Sequence, residues 1–136
     1  MPTNPQEIFG RYIHAGALTR DADALAELFT PDGVYESPFI PDGRIFPRRL
    51  AGREEIRAGM AAYYAHPADS GGVVDTARSR FVLHTTADPD VFIAEIDTVV
   101  VAPDATTTTM SLVQIFRISD GRIALLRDYF DPSTVD

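Results

Sequence analysis

The chain has 136 residues, 45% of them apolar and 10% aromatic, which is enough for one domain with a single hydrophobic core and leaves no room for a second. It contains no cysteine, which excludes disulfides, thiolate metal ligands and a cysteine nucleophile. The formal net charge of −8 disfavours nucleic acid and anionic membranes as partners, and a neutral or weakly cationic small molecule suits it better.

The first part of the chain has the pattern of helices. Apolar residues at helical spacing predict a first helix from about Asn4, and a second amphipathic stretch covers residues 21–29. Residues 34–37 predict a short strand, and the Pro-rich and Asp-rich residues 38–47 predict an irregular loop. A third helix is expected over residues 52–66.

The second part has the pattern of strands separated by turn residues, which predicts three consecutive antiparallel hairpins. The predicted strands cover residues 73–86, 91–101, 106–118 and 123–130. Helices followed by strands indicate an α+β fold, in which the sheet buries one face against the helices. We therefore expect one domain over residues 1–136. No export signal or membrane span is recognisable, so a cytoplasmic protein without a membrane partner is expected.

Strand alternation assigns the polar side chains to faces, because successive side chains point to opposite sides of a sheet. Glu95 and Asp97 share one face of their strand with branched aliphatic residues. On the last strand, Asp128 shares a face with Leu126 and Phe130. Each carboxylate therefore has large apolar neighbours.

The three carboxylates are predicted to converge on one pocket. If Ile118 and Arg122 close a three-residue turn, Asp128 lies opposite Leu112, and Glu95 approaches Leu112 from the other side. The same lining would include Met110 and Gln114. Burial and mutual repulsion raise a carboxyl pKa, so one group could act as an acid and another as a base. The alternative is that this face is exposed, or that the carboxylates are neutralised by Arg78, Arg80, Arg117 or Arg127.

Several segments carry a family resemblance. Residues 120–131 resemble the last strand of limonene epoxide hydrolases and many SnoaL-like proteins, and residues 88–97 are similar to the Glu-x-Asp region of PhzA/PhzB proteins. Residues 33–38 and 52–56 fit the same superfamily, which includes ketosteroid isomerase and the nuclear transport factor 2-like proteins. The resemblance implies a strongly curved antiparallel sheet wrapped around N-terminal helices, with a conical pocket.

The epoxide hydrolase resemblance assigns the acid to Asp97, the water-activating base to Asp128 and the water-binding tyrosine to Tyr35. Two positions depart from that family, because its bridging arginine is Glu95 here and its water-holding asparagine is Ser37. An anion in place of the bridging cation turns an attractive triad into a repulsive cluster. Epoxide hydrolysis by that mechanism is therefore disfavoured.

The ketosteroid isomerase pattern fits less well. Its oxyanion-binding tyrosine falls on Tyr12, but its base falls on Ser37 and its second acid on Gln114. SnoaL-like cyclases and PhzA/PhzB proteins remain, and the resemblance implies pocket acid/base residues without a metal or an organic cofactor. The PhzA/PhzB proteins have a glutamate near the position of Asp128.

The other polar residues fit either ligand binding or a structural role. Histidines at positions 14, 66 and 84 lack metal-ligand spacing, so no metal site is predicted. His84 fits a proton shuttle or a structural histidine. Tyr12 and Tyr35 fit ligand binding or core packing. The predicted substrate-binding residues are Tyr12, Tyr35, Ser37, Met110, Leu112, Gln114 and Phe130.

The opposite face of the sheet also carries apolar side chains, for which the chain has too few helices to provide cover. A homodimer packed sheet to sheet is therefore predicted. The residues assigned to that outer face are Phe92, Ile96, Val100, Ile123, Leu125 and Tyr129.

The leading functional prediction is a cofactor-independent isomerase, cyclase or dehydratase for a small apolar, polyketide-like or terpenoid-like metabolite. Its catalytic residues would be Asp128, Asp97 and Glu95. The alternatives are an epoxide hydrolase and a module without catalysis that binds a small molecule or another protein.

Overall fold

A computed structural model of the chain describes residues 4–66 and 72–134. The elements are, in chain order, α1 (Pro5–Ile13), a π-helical turn (His14–Leu18), α2 (Ala22–Glu27), β1 (Phe29–Glu36), β2 (Arg49–Ala51), α3 (Arg53–Ala65), β3 (Val73–Val74), β4 (Arg80–Thr85), β5 (Val91–Val101), β6 (Thr107–Ser119), β7 (Arg122–Tyr129) and a short 3-10 helix (Pro132–Thr134). The expected α+β fold is confirmed, with a curled half-barrel sheet beside N-terminal helices. No helix in residues 4–66 or 72–134 has the length and apolar character needed to cross a bilayer.

The first two helices begin where the sequence supplies a side-chain cap. Asn4 accepts a hydrogen bond from the backbone of Glu7 at 3.1 Å, with Pro5 at the first helical position. Asp21 caps α2 in the same way through the backbone of Ala24, at 3.0 Å. α2 ends at Glu27, earlier than predicted, because the chain already enters the sheet at Phe29.

The seven strands form one sheet in the order β2-β1-β7-β6-β5-β3, and β4 also pairs with β5. The predicted meander over β4, β5, β6 and β7 is confirmed, since all three pairings are antiparallel. The sheet is nevertheless mixed, because β1 pairs with β7 in parallel. The expectation of a purely antiparallel sheet is therefore wrong at this one pairing.

Two local predictions in the second half are also wrong. Residues 73–86 form two strands, because Asp75 accepts backbone hydrogen bonds from Ala77 at 3.1 Å and Arg78 at 3.2 Å and so holds a turn. The β6–β7 turn is a residue shorter than assumed, since Ser119 pairs with Arg122. An irregularity between Arg117 and Ile118 shifts the register of the remaining pairs by one more residue.

The sheet buries one face against the helices. Its inner face carries Phe92, Ala94 and Ile96 of β5 and Phe116 of β6, each at most 8% exposed. The core continues through aromatic side chains of α1, since Phe9 and Tyr12 meet the ring of Phe116 edge to face at 6.0 and 5.4 Å.

For the predicted dimer, the faces of β5 are assigned the wrong way round, and on β7 the assignment fails at Ile123. The outer-face assignment is wrong for Phe92, Ile96 and Ile123, which are 1%, 8% and 0% exposed within the core, and for Val100, which lines an internal cavity. The assignment is correct for Leu125 and Tyr129, which lie on the outer face together with Val113. No contact with a second copy tests the homodimer, which stays a prediction.

Candidate active site

A cavity of about 320 Å³ lies between the inner face of the sheet and the helices. This volume is at the lower end of the range for small-molecule sites, roughly 300–1,000 Å³. Its walls are mostly aromatic and aliphatic. The residues that line it include Tyr12, Arg20, Tyr35, Phe46, Tyr63, Tyr64, Ile96, Thr98, Val100, Met110, Leu112, Gln114, Asp128 and Phe130.

Asp128 is the one carboxylate among the described residues that line this cavity. It is 6% exposed, and its Oδ2 accepts a hydrogen bond from the Tyr35 hydroxyl at 2.6 Å. Its other oxygen, Oδ1, is buried without a hydrogen-bond partner. A buried acceptor in that state carries a desolvation cost of about 1–3 kcal/mol, which a ligand that donates a hydrogen bond would remove.

The protonation of Asp128 is set by its burial. Loss of solvent raises the pKa of this carboxyl to about 6, while the hydrogen bond from Tyr35 and the nearby side-chain amide of Gln114 act in the opposite direction. No ion pair of Asp128 with an arginine or histidine occurs within the described part of the chain. The group therefore titrates close to neutral pH.

The sheet register places the partners of Asp128. On β6, Gln114 lies directly opposite Asp128 and not Leu112, because the shorter turn and the irregularity between Arg117 and Ile118 each shift the pairing by one residue. The predicted common face survives, since Leu112 and Gln114 are two residues apart. On the other side, β1 runs parallel to β7 with Tyr35 opposite Leu126, which brings the tyrosine hydroxyl within reach of Asp128.

Tyr12 of α1 supplies a second hydroxyl to the cavity. Burial, followed by the charge of Asp128, raises its pKa well above the usual range, and a hydrogen bond with Gln114 lowers it. The pKa of Tyr35 is raised by burial in the same way. Both hydroxyls are therefore neutral at physiological pH and can donate hydrogen bonds.

Three further residues line the cavity that are not among the predicted binding residues: Arg20, and Tyr63 with Tyr64, for which the sequence suggests helix packing or a pocket lid. The Arg20 guanidinium lies over the rings of Tyr63 and Tyr64, at 5.5 and 4.9 Å, and donates to the backbone oxygen of Tyr64 at 3.1 Å. Burial raises the pKa of Tyr64 to about 12. The π-helical turn that carries the chain to Arg20 has no recognisable pattern of residues, so this side of the site was not predictable.

Six of the seven predicted substrate-binding residues line the cavity, and the seventh does not. Ser37 is fully buried two positions after Tyr35, yet it lies outside the lining. The six that line it are Tyr12, Tyr35, Met110, Leu112, Gln114 and Phe130.

Glu95 and Asp97 do not reach the cavity, so the predicted convergence of three carboxylates is wrong. Glu95 is exposed on the outer face, where its carboxylate contacts His84. Asp97 shares that face and accepts a hydrogen bond from the Ser111 hydroxyl at 2.7 Å.

The reason is the pairing of β5 with β6. Ala94 lies opposite Gln114, and cross-strand partners share a face. Even-numbered residues of β5 therefore point inward, and the cavity is lined there by Ile96, Thr98 and Val100. Branched aliphatic residues occupy both faces of β5, so apolar neighbours gave no sign of which face is inside.

The carboxylate pair of the epoxide hydrolase resemblance is consequently absent from the lining in residues 4–66 and 72–134. Asp128 and Tyr35 keep the expected relation, but Asp97 and Glu95 stand on the other side of the sheet. Nor does this part of the chain contain a cluster of three or more histidine or acidic side chains that could hold a metal ion.

A curled mixed sheet beside N-terminal helices matches the nuclear transport factor 2-like fold, to which ketosteroid isomerase also belongs. The sequence profile of the SnoaL-like domain matches residues 9–126. The chain therefore belongs to the SnoaL-like family.

Comparison with individual proteins agrees with this assignment. An uncharacterized PhzA/B-like protein from Pseudomonas aeruginosa is 33% identical over 133 residues, which cover 95% of this chain and 85% of that protein. A proposed isomerase from Bacillus subtilis has a similar structure, with a TM-score of 0.74 and 23% identity over 96% of this chain and 88% of that chain. An epoxide hydrolase of the limonene epoxide hydrolase type from M. tuberculosis has a TM-score of 0.59 and 18% identity over 95% of this chain and 84% of that chain. The two structural likenesses bear on the fold alone.

Proposed function

We propose that the protein is an acid/base enzyme, an isomerase, cyclase or dehydratase, which acts on a small and largely apolar carbonyl compound with Asp128 as general base. The observation that supports this most directly is the free Oδ1 of Asp128, buried at the wall of the cavity while Oδ2 is held by Tyr35. A carboxylate fixed at one oxygen and open at the other is oriented to take a proton from a bound molecule.

The pKa of Asp128 suits this role. With a pKa of about 6, the group is about nine-tenths ionised at pH 7, yet it is a stronger base than an exposed aspartate. General bases are most effective when their pKa lies near the working pH. Burial therefore supplies both the base strength and the water-poor surroundings.

The first step we propose is removal of a proton from the carbon next to the substrate carbonyl. The C–H bond breaks, the proton goes to Oδ1 of Asp128, and the electron pair moves onto the carbonyl oxygen as an enolate. Asp128 loses its negative charge as the enolate gains one, so the total charge of the cavity is unchanged in a medium of low dielectric constant. The neutral hydroxyl of Tyr12 and the side chain of Gln114 can donate hydrogen bonds to the enolate oxygen.

The second step decides the reaction type. Return of the proton from Asp128 to another carbon gives isomerisation, and its transfer to a departing hydroxyl gives dehydration. Attack of the enolate carbon on a second carbonyl of the same molecule gives cyclisation, with the proton passing to the new alkoxide. The apolar walls favour a substrate of the secondary-metabolite type. The size of this substrate is limited by the cavity, whose volume equals that of about ten water molecules in the liquid.

The proposal is tested with a reaction that all three activities share. Exchange of α-protons for deuterium is followed by proton NMR for a panel of small cyclic and aromatic ketones in D₂O. We expect the protein to accelerate exchange for some of them, and Asp128→Asn to lose about 10²–10⁴-fold of that rate. The matched control is Asp97→Asn, which removes a carboxylate from the outer face and should exchange like the parent protein.

The pH dependence gives a second check. The exchange rate should rise with pH as Asp128 ionises, with a midpoint near its pKa of about 6. Exchange by Asp128→Asn at the parental rate, or equal losses in the Asp97 and Asp128 variants, would contradict the assignment of the base.

Epoxide hydrolysis is the second candidate, supported by the 2.6 Å hydrogen bond between Tyr35 and Asp128 that such a water-activating pair requires. It lacks a second acid to protonate the epoxide oxygen among the described lining residues. Incubation of small epoxides in ¹⁸O-water separates the two, since only hydrolysis places one labelled oxygen in a diol.

A further inference from the structure

A second concave site lies on the surface, beside the loop that connects β1 and β2. It is an open groove of about 580 Å³ whose wall contains four arginines and two acidic residues. We call it the arginine groove, and its charged residues are Arg44, Arg48, Arg49, Arg127, Glu36 and Asp42.

The charge of the groove is opposite to that of the chain. Four guanidinium groups face two carboxylates there, whereas the whole chain has a formal net charge of −8. A positive concavity attracts anions locally even on a protein whose net charge is negative.

The ion pairs in the groove use only part of the available donors. Arg49 Nε lies 3.4 Å from one oxygen of Glu36, and Arg127 Nε lies 3.2 Å from the other. Arg48 Nη1 lies 3.2 Å from Asp42 Oδ1. Because Glu36 is shared through two Nε atoms, these pairs do not use the terminal nitrogens of Arg49 and Arg127.

The arginines stand on a fixed frame. Glu36 lies directly opposite both Arg49 of β2 and Arg127 of β7, so the three side chains share one face of adjacent strands. The loop is closed at its base by a 2.7 Å hydrogen bond from the Ser37 backbone N–H to the Arg48 carbonyl oxygen. Buried Ile40, 1% exposed, anchors it to the core. Such a frame lowers the entropy lost when an anion is bound.

An apolar surface adjoins the charged groups. Phe46 lines the arginine groove and also lines the cavity that contains Asp128. Its ring packs edge to face against Tyr63 at 4.8 Å and Phe130 at 5.1 Å, which fixes its position. The ring is 8% exposed, so only its edge faces the groove, where Pro38 and Pro41 add further apolar surface.

We propose that the arginine groove binds a phosphate monoester, with its dianion on Arg48, Arg49 and Arg127 and its organic part against Pro38, Pro41 and the exposed edge of Phe46. A phosphate fits better than a carboxylate because its three terminal oxygens can accept from several guanidinium groups at once. This proposal does not depend on the reaction assigned to Asp128.

The test uses phenyl phosphate, inorganic phosphate and benzoate as probes, titrated separately by calorimetry and by backbone amide shifts. Phenyl phosphate should bind about tenfold more tightly than either of the other two, with shifts concentrated in residues 36–49 and 127–129. Inorganic phosphate measures the anion alone, and benzoate measures an aromatic carboxylate.

Two variants act on the groove in opposite directions. The double variant Arg48→Gln and Arg49→Gln should weaken phenyl phosphate about tenfold or more, since it removes two charged donors. Glu36→Gln should strengthen it about threefold, since it removes the anion that competes for Arg49 and Arg127. The control, Arg11→Gln with Arg122→Gln, removes the same charge from exposed sites outside the groove and should change the affinity less than twofold.

The outcomes are separable. Equal binding of phenyl phosphate and inorganic phosphate would restrict the site to a free anion and overturn the organic part of the proposal. Equal binding of benzoate, or equal losses in the groove and control variants, would overturn the phosphate site. Asp128→Asn should retain full phenyl phosphate affinity, so loss of α-proton exchange in that variant tests only the proposed function.

Discussion

The inner and outer faces of the central strands both carry carboxylates, in very different surroundings. On the inner face, Asp128 is 6% exposed, has one unpartnered oxygen and has a pKa raised to about 6 by burial. On the outer face, Asp97 accepts a hydrogen bond from Ser111, and Glu95 contacts His84 at an exposed position. A carboxylate on these strands is thus buried in the cavity wall or accessible to solvent according to which way the strand turns it.

Packing gives the largest expected difference in stability between the faces. Phe116→Ala should lower the free energy of unfolding by about 3–5 kcal/mol, because this ring is 0% exposed and stacks on Phe92 at 4.7 Å. On the same strand, Val113→Ala should lower it by less than about 1 kcal/mol, since Val113 is 38% exposed. Urea denaturation of both variants measures the difference, and comparable losses would contradict the assignment of the faces.

The pH dependence of stability should separate the carboxylates next. The pKa of Asp128 in the folded protein, about 6, lies above the ordinary value near 4 in an unfolded chain. Folding therefore takes up a proton between about pH 4 and pH 6, and the buried charge lowers stability as the pH rises through that window. Two pH units correspond to about 3 kcal/mol at most.

Asp128→Asn removes this charge. The parent protein loses stability as the pH rises, and the variant does not. The difference in unfolding free energy should therefore shift in favour of the variant by up to about 3 kcal/mol between pH 4 and pH 7.5. Asp97→Asn should keep a difference from the parent within about 0.5 kcal/mol at both pH values. A flat difference for Asp128→Asn would mean that the carboxyl has no raised pKa in the folded state.

A smaller effect is expected when the partner of Asp128 is removed. In the parent protein, the hydrogen bond from Tyr35 to Oδ2 lowers the pKa of Asp128. Tyr35→Phe deletes that bond, so the pKa of Asp128 should rise by about one unit. The midpoint of α-proton exchange should move to higher pH by the same amount. The matched outer-face change, Tyr129→Phe, should leave the midpoint where it is, and a shift in both variants would point to a general change in the sheet.

The smallest effect on the folded chain is expected at the exposed outer surface, where the homodimer remains a prediction. Val113→Asp should change the unfolding free energy of a monomer by less than about 1 kcal/mol. If the chain dimerises sheet to sheet, the same change should convert the dimer to a monomer in sedimentation at micromolar concentration. A parent protein that sediments as a monomer would end the dimer proposal.

Local signals in the sequence predicted most of the elements but not all of their boundaries. The Asn4-Pro5 cap, the third helix and the turn residues between the last four strands each act within a few positions, and the structure confirms them. The break at Asp75 and the parallel pairing of β1 with β7 were missed. The first was missed because a single Asx turn looks like ordinary strand surface, and the second because it joins segments distant in the chain.

For the candidate site, the sequence determined which residues share a face, since alternation is a property of the strand itself. Gln114 with Leu112, and Asp128 with Phe130, were placed together on that basis, and the structure puts all four around one cavity. Tertiary structure decided which face of β5 is buried, because this depends on its register with β6 and on the position of the helices. It therefore decided that Asp128 keeps a buried carboxyl and that Asp97 does not.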